Sequence, residues 1–288
     1  MSWVMERPAV KSLVDVLETL ARWHSDGDPV QLHPGDLGWH WRFGAEALAE
    51  SLRVWRSGEE IFAVGFVEGA GLVHVAIDPT AGHDDDLALQ LFTDISDPTG
   101  EVLSAGGALV AAPFGEAFRG LLFENGWVVD QPWTPLRRDL TDEVEGYDLR
   151  VELVGPRHVY ERVAVQRSAF ENSTFTVDLW ATMAAAPPYR SAQCLVGYDA
   201  EGNPVAAVTV WSAGRGRAGL LEPMGVHPAH RGHRYGTAIA LAAADVLRSM
   251  GSSSAIVTTP SSNVGAVATY ASAGFRRSPD VNYFRRLG

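Results

Sequence analysis

The stretch EPMGVHPAHRGHRYGTAIALAAADVL, Glu222–Leu247, begins as an apolar strand and ends as an alanine-rich helix. Between them lies a short loop holding His227, His230, Arg231, His233 and Arg234. The chain as a whole is acidic, with 35 Asp and Glu against 23 Lys and Arg over 288 residues and a net charge of −12. Positive charge concentrated at one strand-to-helix junction therefore needs a reason. A turn whose N–H groups converge on a helix N-terminus is an anion site. Gly232 and Gly236 let backbone approach a ligand with no Cβ in the way, and Arg231 and Arg234 add cations able to grip phosphate through two N–H groups. The same residues also read as a solvated loop capping a helix, and the loop alone does not decide between the two. A metal is the weaker reading. His227, His230 and His233 recur every third residue, but Pro228 and Gly232 interrupt the span, so they share no helical face, and two arginines among them repel a cation. No metal is expected.

Composition removes other chemistries. Hydrophobic content of 46% and charged content of 20% are those of a soluble globular protein, and the length suits two domains. No apolar run approaches the roughly 20 residues that span a bilayer. The opening MSWVMERPAVKSLVDVLETLARW reads as an amphipathic helix rather than a signal peptide. The lone Cys194 fits a reducing cytoplasm and reads as a small core residue on a strand. Lys11 is the only lysine, which rules out a P-loop and leaves it as the sole Schiff-base candidate. The motifs G-x-S-x-G, C-x-x-C and H-E-x-x-H are missing. With no basic helix or aromatic platform, neither nucleic acid nor a membrane is an expected partner. The expected location is the cytoplasm.

Punctuation along the chain repeats. AIDPTAGHDDDLALQLF parallels GVHPAHRGHRYGTAIAL, with Pro79 matching Pro228. GEAFRGLLFENGW parallels NVGAVATYASAGF, with Gly126-Trp127 matching Gly274-Phe275. From that proline to that glycine is 47 residues in the first half and 46 in the second. Such agreement argues for duplication of one α/β plan. The expected organisation is a helical lead-in over 1–28, a first domain over 29–140, a polar linker over 141–148 and a second domain over 149–288. Within it, a strand is expected at 30–33, a loop at GWHWRFG, a helix at 45–57, and a final strand region closing the second half.

GVHPAHRGHRYGTAIAL followed by NVGAVATYASAGF resembles the two signature segments of the GNAT superfamily of acyl-CoA-dependent N-acetyltransferases. That family carries R/Q-x-x-G-x-G/A after a strand ending V-x-P, then N-x-x-A-x-x-L-Y-x-x-x-G-F one strand later. Asn263, Ala266, Tyr270, Gly274 and Phe275 stand at each expected offset, with Thr269 in the usual leucine place. Arg231 and Gly236 match the first segment, while Arg234 replaces its middle glycine. The resemblance implies two tandem GNAT-like domains, each a central mixed, mostly antiparallel sheet flanked by helices. It also implies acetyl-CoA as co-substrate. Met224, Gly225 and Val226 would line the pantetheine arm with backbone groups. Arg231 and the run Gly232, His233, Arg234, Tyr235, Gly236 and Thr237 would hold the pyrophosphate, and Asn263 would bond the cofactor arm. Tyr270 would protonate the leaving thiolate, a role suited to a phenol that stays un-ionised at neutral pH.

The attacking amine must lose a proton, and Glu222 is the candidate base. It lies four residues before Val226, which in a regular strand puts both on one face. The other reading of Glu222 is a strand-edge carboxylate paired with Arg217 or another arginine, and both stand at this point. The first half fails the same test: Asp84, Asp85 and Asp86 occupy the phosphate loop, while Gly115, Phe118 and Leu122 replace Asn263, Ala266 and Tyr270. It is a degenerate copy. The expected function is acetyl transfer from acetyl-CoA to a primary amine of a small molecule. The alternatives are a thiol-pathway acyltransferase resembling mycothiol synthase, or a non-catalytic acyl-CoA-binding protein. Residues 1–147 hold 25 acidic and 9 basic side chains against 10 and 14 in 148–288. That distribution reads either as favouring a cationic acceptor, which is the expectation, or as an acidic surface that only keeps the protein soluble. Trp39 and Trp41 read either as cation–π contacts for it or as core.

Overall fold

The computed structural model describes residues 3–69, 71–97 and 99–288, so Met1 and Ser2 of the expected lead-in lie outside the described residues. In chain order the first elements are β1 (Val4–Glu6), α1 (Leu13–Arg22), α2 (Pro34–His40), α3 (Ala45–Ser51), β2 (Leu52–Ser57), β3 (Glu60–Glu68) and β4 (Leu72–Ile77). Next come α4 (Asp85–Ser96), β5 (Ala108–Ala111), α5 (Glu116–Glu124), β6 (Val128–Asp139), β7 (Arg150–Leu153), α6 (Val159–Ala169) and α7 (Val177–Ala184). The chain continues through β8 (Ala192–Tyr198), β9 (Pro204–Ser212), β10 (Ala218–Val226), α8 (Tyr235–Ser249) and β11 (Ser254–Pro260). It ends with α9 (Val264–Ser272), β12 (Arg276–Arg277) and β13 (Val281–Arg286).

Two compact units result. One comprises residues 1–33, 45–133 and 280–288; the other comprises 34–44 and 134–279. In the first unit the strands run β1-β2-β3-β4-β5-β13-β6, with β4 and β5 parallel and the other registered pairs antiparallel. In the second they run β6-β11-β10-β9-β8-β7, with β10 and β11 parallel, and β12 pairs antiparallel with β6. β6 changes unit between Trp133 and Thr134. The expected mixed, mostly antiparallel sheets are present.

Each unit has its own core. In the first, Val73, Val75 and Ile77 of β4, Val110 of β5 and Phe284 of β13 meet Leu87 and Leu91 of α4 and Phe118 and Leu122 of α5. In the second, α8 is apolar nearly all round, and Ile239–Ala244 and Leu247 sink against Leu195, Val208, Val210, Leu221, Ala255 and Val257. Each fully buried Leu or Ile stabilises by about 1.5–3 kcal/mol, and α8's small alanines let it lie close on the sheet.

Local expectations fail in four places. The lead-in opens with strand β1, registered Val4 to Arg56, before any helix. No strand forms at 30–33. GWHWRFG is helical rather than loop: α2 starts on Pro34, where a missing N–H costs nothing, and runs into a 3-10 turn at Trp41–Phe43. The 45–57 helix stops at Ser51, because Leu52-Arg53-Val54-Trp55 is buried on both faces as an inner strand and so shows no alternation.

Candidate functional site

The site is built where two parallel strands part. β10 and β11 are registered only from Ala218–Leu220 against Ser254–Ile256. Beyond Leu220 β10 keeps one neighbour, β9, with Met224, Gly225 and Val226 opposite Val208, Ala207 and Ala206. His227 N donates to Val205 O at 2.8 Å. An antiparallel ladder alternates hydrogen-bonded and non-bonded pairs, so Gly225 bonds β9 and the N–H and C=O groups of Met224 and Val226 turn to the opposite edge. That edge is a strand with its polar groups presented and no ladder to take them.

The edge leads straight into the basic loop. Pro228–His230 forms a 3-10 turn, Gly232 takes φ +87°, and Arg234 takes φ +64° as the N-cap of α8. Arg234 thus adopts the left-handed conformation that its glycine would adopt freely. Its side chain makes no cap bond, and the first α8 amide bonded within the helix is Ala238 N, to Arg234 O. The N–H groups of Tyr235, Gly236 and Thr237 remain at the positive end of a fifteen-residue helix. All three histidines have local work: His227 Nδ1 accepts from Ala229 N, His230 pairs with Asp199 at 3.6 Å, and His233 stacks on Tyr235. No group of three or more potential metal ligands occurs among the described residues. Arg231 reaches back to Ala169 O at 3.3 Å, tying the loop to the end of α6. Gly236 is needed for packing: a Cβ there would stand 2.9 Å from Thr269 Cγ2 on α9.

Asn263 is the N-cap of α9, with Oδ1 accepting from Ala266 N at 3.2 Å, which leaves Nδ2 to donate elsewhere. Tyr270 lies on α9, 6% exposed, its ring 5.8 Å from that of Phe275. Its hydroxyl bonds nothing among the described residues. Burial pushes its pKa well above the usual phenol value, and the charge of Glu222 pushes it further the same way. Glu222 is half-buried on β10, and its carbonyl accepts from Trp211 Nε1 at 2.7 Å. The register of β10 slips by one residue between Leu221 and Met224, so even spacing no longer implies that Glu222 shares a face with Val226. Arg217 donates to Ala213 O at 3.4 Å.

Sequence reasoning missed two parts of this unit. Gly225 lets α6 approach, since a Cβ there would lie 2.6 Å from Ala169 Cβ; a glycine inside a strand was the available signal. The segment 34–44 packs in this unit, with Gly38 pressed on the ring of Trp211 that holds Glu222. Trp41 is buried, while Trp39 packs against Phe175 with the rings tilted at 41° and is covered by the Arg42 guanidinium at 4.1 Å.

Residues 159–275 match the acetyltransferase (GNAT) family. They carry a GNAT domain. Among solved structures, an acetyltransferase of the GNAT family from Colwellia psychrerythraea is similar over 100% of both chains, with TM-score 0.63 and 15% identity. A GCN5-related N-acetyltransferase from Sphaerobacter thermophilus gives TM-score 0.60 at 14% identity over 99% of this chain and 95% of its own. A tandem GNAT protein from the clavulanic acid biosynthesis pathway gives 0.55 at 15%, over 99% and 98%. At these identities the likeness is one of fold, and it extends over both units. No curated protein sequence matches this chain.

The first GNAT-like unit repeats the parted strands and then closes them. β4 and β5 are registered from Leu72–His74 against Leu109–Ala111 and no further. Asp78 N donates to Phe62 O, so by the same alternation Ile77 turns its N–H and C=O outward, as Val226 does in the GNAT domain. Here both groups are taken. Gln31 Nε2 donates to Ile77 O at 2.9 Å, and Ile77 N donates to Gln31 Oε1 at 3.0 Å. One side-chain amide stands where an amide-bearing ligand would lie. Asp84 likewise caps α4 by accepting from Leu87 N, with Asp85 and Asp86 in the first turn. Gln31 was not foreseen, because nothing in a loop sequence marks which strand edge it will reach.

Proposed function

We propose that this chain is an N-acetyltransferase that binds acetyl-CoA in its second unit and transfers the acetyl group to a primary amine. The observation that carries the reading is the presented edge of β10 at Met224 and Val226, running into the side-chain-free N-terminus of α8. An arm rich in amides is matched by the strand edge, and a pyrophosphate by the N–H groups of Tyr235, Gly236 and Thr237 with Gly232 beside them. His233 and Arg234 lie exposed on that rim, and Arg231 holds the loop to α6. Asn263 Nδ2 is the donor for the arm on the β11 side.

The chemistry forms one N–C bond and breaks one C–S bond. The amine nitrogen attacks the thioester carbonyl carbon, the sulfur leaves with the C–S electron pair, and that thiolate takes the Tyr270 hydroxyl proton. A phenol held un-ionised by burial is suited to this acid role. Glu222 accepts the proton that the amine loses, directly or through a water. We further propose a small cationic acceptor: the electropositive loop serves the anionic donor, while Glu222 and the strongly acidic first 147 residues favour cations.

Incubation of the chain with acetyl-CoA and a panel of amines, read as thiol release, tests both parts. Turnover with polyamines or aminoglycosides, falling as salt rises from about 0.01 to 0.15 M, is the expected result. Binding of acetyl-CoA without turnover on any amine refutes the enzyme and leaves a binding protein. Turnover with neutral or anionic amines alone refutes only the cationic acceptor.

A further inference from the structure

We infer that the first unit carries a second ligand site, separate from the acyl-CoA site, for a small aryl-bearing monocarboxylate. A cavity of about 540 Å³ opens between the loop before α4 and the helix α5, lined by Phe114, Phe123, Phe284, Arg119, Gly120 and His83 among others. That volume lies within the range of small-molecule sites, and apolar and aromatic walls with a few polar groups are their usual make-up. The walls are positioned rather than incidental. Phe114 is pressed against Gly82, where a Cβ would stand 2.5 Å from the ring, and Phe284 is buried. Phe123 is 68% exposed, a large apolar rim with nothing over it.

Arg119 gives the cavity its chemistry. The side chain is half-buried, and its nearest aromatic partner is the Phe284 ring at 5.9 Å from the guanidinium carbon. No hydrogen bond or ion pair to it occurs among the described residues, and its Nε is buried without an acceptor. A buried Nε–H without an acceptor is costly, and a carboxylate offers two parallel acceptors that the guanidinium fork fits. Glu116, the acid on the same wall, is exposed and faces His83 at 3.7 Å.

The surroundings limit the ligand further. Asp84, Asp85 and Asp86 lie at the adjacent start of α4, so a dianionic phosphate meets more repulsion than a single carboxylate does. Gly115 lines the cavity and abuts Ile77, where a Cβ would stand 2.4 Å from Cδ1. Ile77 is the residue whose backbone Gln31 occupies, so the strand edge behind Gly115 offers no free groups to a pantetheine arm. A short acid with a flat body fits what remains.

The test titrates the full chain with 3-phenylpropionate, and with the alcohol and the amine of the same skeleton, by calorimetry. Saturable one-to-one binding of the carboxylate is expected, at least tenfold tighter than either isostere. Arg119→Gln should weaken it at least tenfold. Gly120→Phe should abolish it, because the Gly120 Cβ direction is open and a ring there fills the cavity; an unchanged thermal midpoint verifies that this variant folds. Equal binding of all three probes, unchanged binding in both variants, or no saturation by about 10 mM overturns the site.

Discussion

Replacing Gln31 by Leu tests whether the first unit closes its own strand edge. Gln31 and Ile77 are 6% and 2% exposed, and two hydrogen bonds of 2.9 and 3.0 Å join the side-chain amide to the Ile77 backbone. Leucine keeps the volume and offers neither donor nor acceptor. The N–H and C=O of Ile77 are then left buried and unpaired, at about 1–3 kcal/mol each. Allowing roughly 1 kcal/mol back for the apolar side chain, the loss is about 1–5 kcal/mol. A chain of two units need not unfold in one step, so the local readout is amide exchange. Ile77 N–H exchange should accelerate by about fivefold or more, since 1.4 kcal/mol is tenfold, with amides of α8 unaffected. Gln31→Glu sharpens the test. Only its protonated form supplies both donor and acceptor, so the folded-state pKa is raised above the unfolded value near 4.3. The deficit is then absent below about pH 4 and develops as pH rises through the folded pKa. Exchange within threefold of wild type in Gln31→Leu, or a Gln31→Glu variant indifferent to pH, refutes the closure.

Tyr270→Phe should lower kcat by roughly 10- to 1,000-fold with acetyl-CoA affinity retained. Because burial and Glu222 raise the pKa of Tyr270, the wild type should show no alkaline loss of kcat up to about pH 9.5; a limb below that pH would assign the acid elsewhere. Arg234→Gly should gain about 1 kcal/mol in thermal or denaturant unfolding by relieving the left-handed backbone at φ +64°. It should also weaken acetyl-CoA binding, and Arg234→Ala should weaken binding alike with no gain, so matching stabilities for the two would remove the strain argument.

The reading of the GNAT domain from sequence went far because its features are local. An apolar strand, a loop with Pro228, Gly232 and Gly236, and an alanine-rich helix each carry their own signal, and the spacing of Asn263, Tyr270 and Gly274 follows from one helix and its end. Non-local features escaped. Gln31 meets Ile77 across 46 positions, and β13 lies beside β5 in the first unit although it follows the last helix of the second. Periodicity failed where burial is two-sided, as at Leu52–Trp55. Past Glu222 it carries no information about facing, because the register of β10 slips by one residue between Leu221 and Met224. An i to i+4 relation was legible; a bulge was not.

The two parted edges explain what degeneration can mean physically. A strand pair that separates leaves backbone donors and acceptors whose burial without partners costs about as much as the bonds they lack. Such an edge must be wetted, filled by a ligand, or filled by the chain. The GNAT domain keeps Met224 and Val226 presented and spends glycine and arginine on the loop beyond them. The first unit fills the equivalent edge with Gln31 and caps the equivalent helix with Asp84, which adds stability in the absence of any ligand and removes the reason for a basic loop there. Three aspartates at the start of α4 also suit its dipole better than arginines would. On this argument the closure and the acidity of the first unit are one change. A variant that opens the edge, Gln31→Ala, should therefore still bind no acetyl-CoA there while Asp84, Asp85 and Asp86 remain, and the full chain should titrate with one equivalent; two equivalents would separate the closure from the charge.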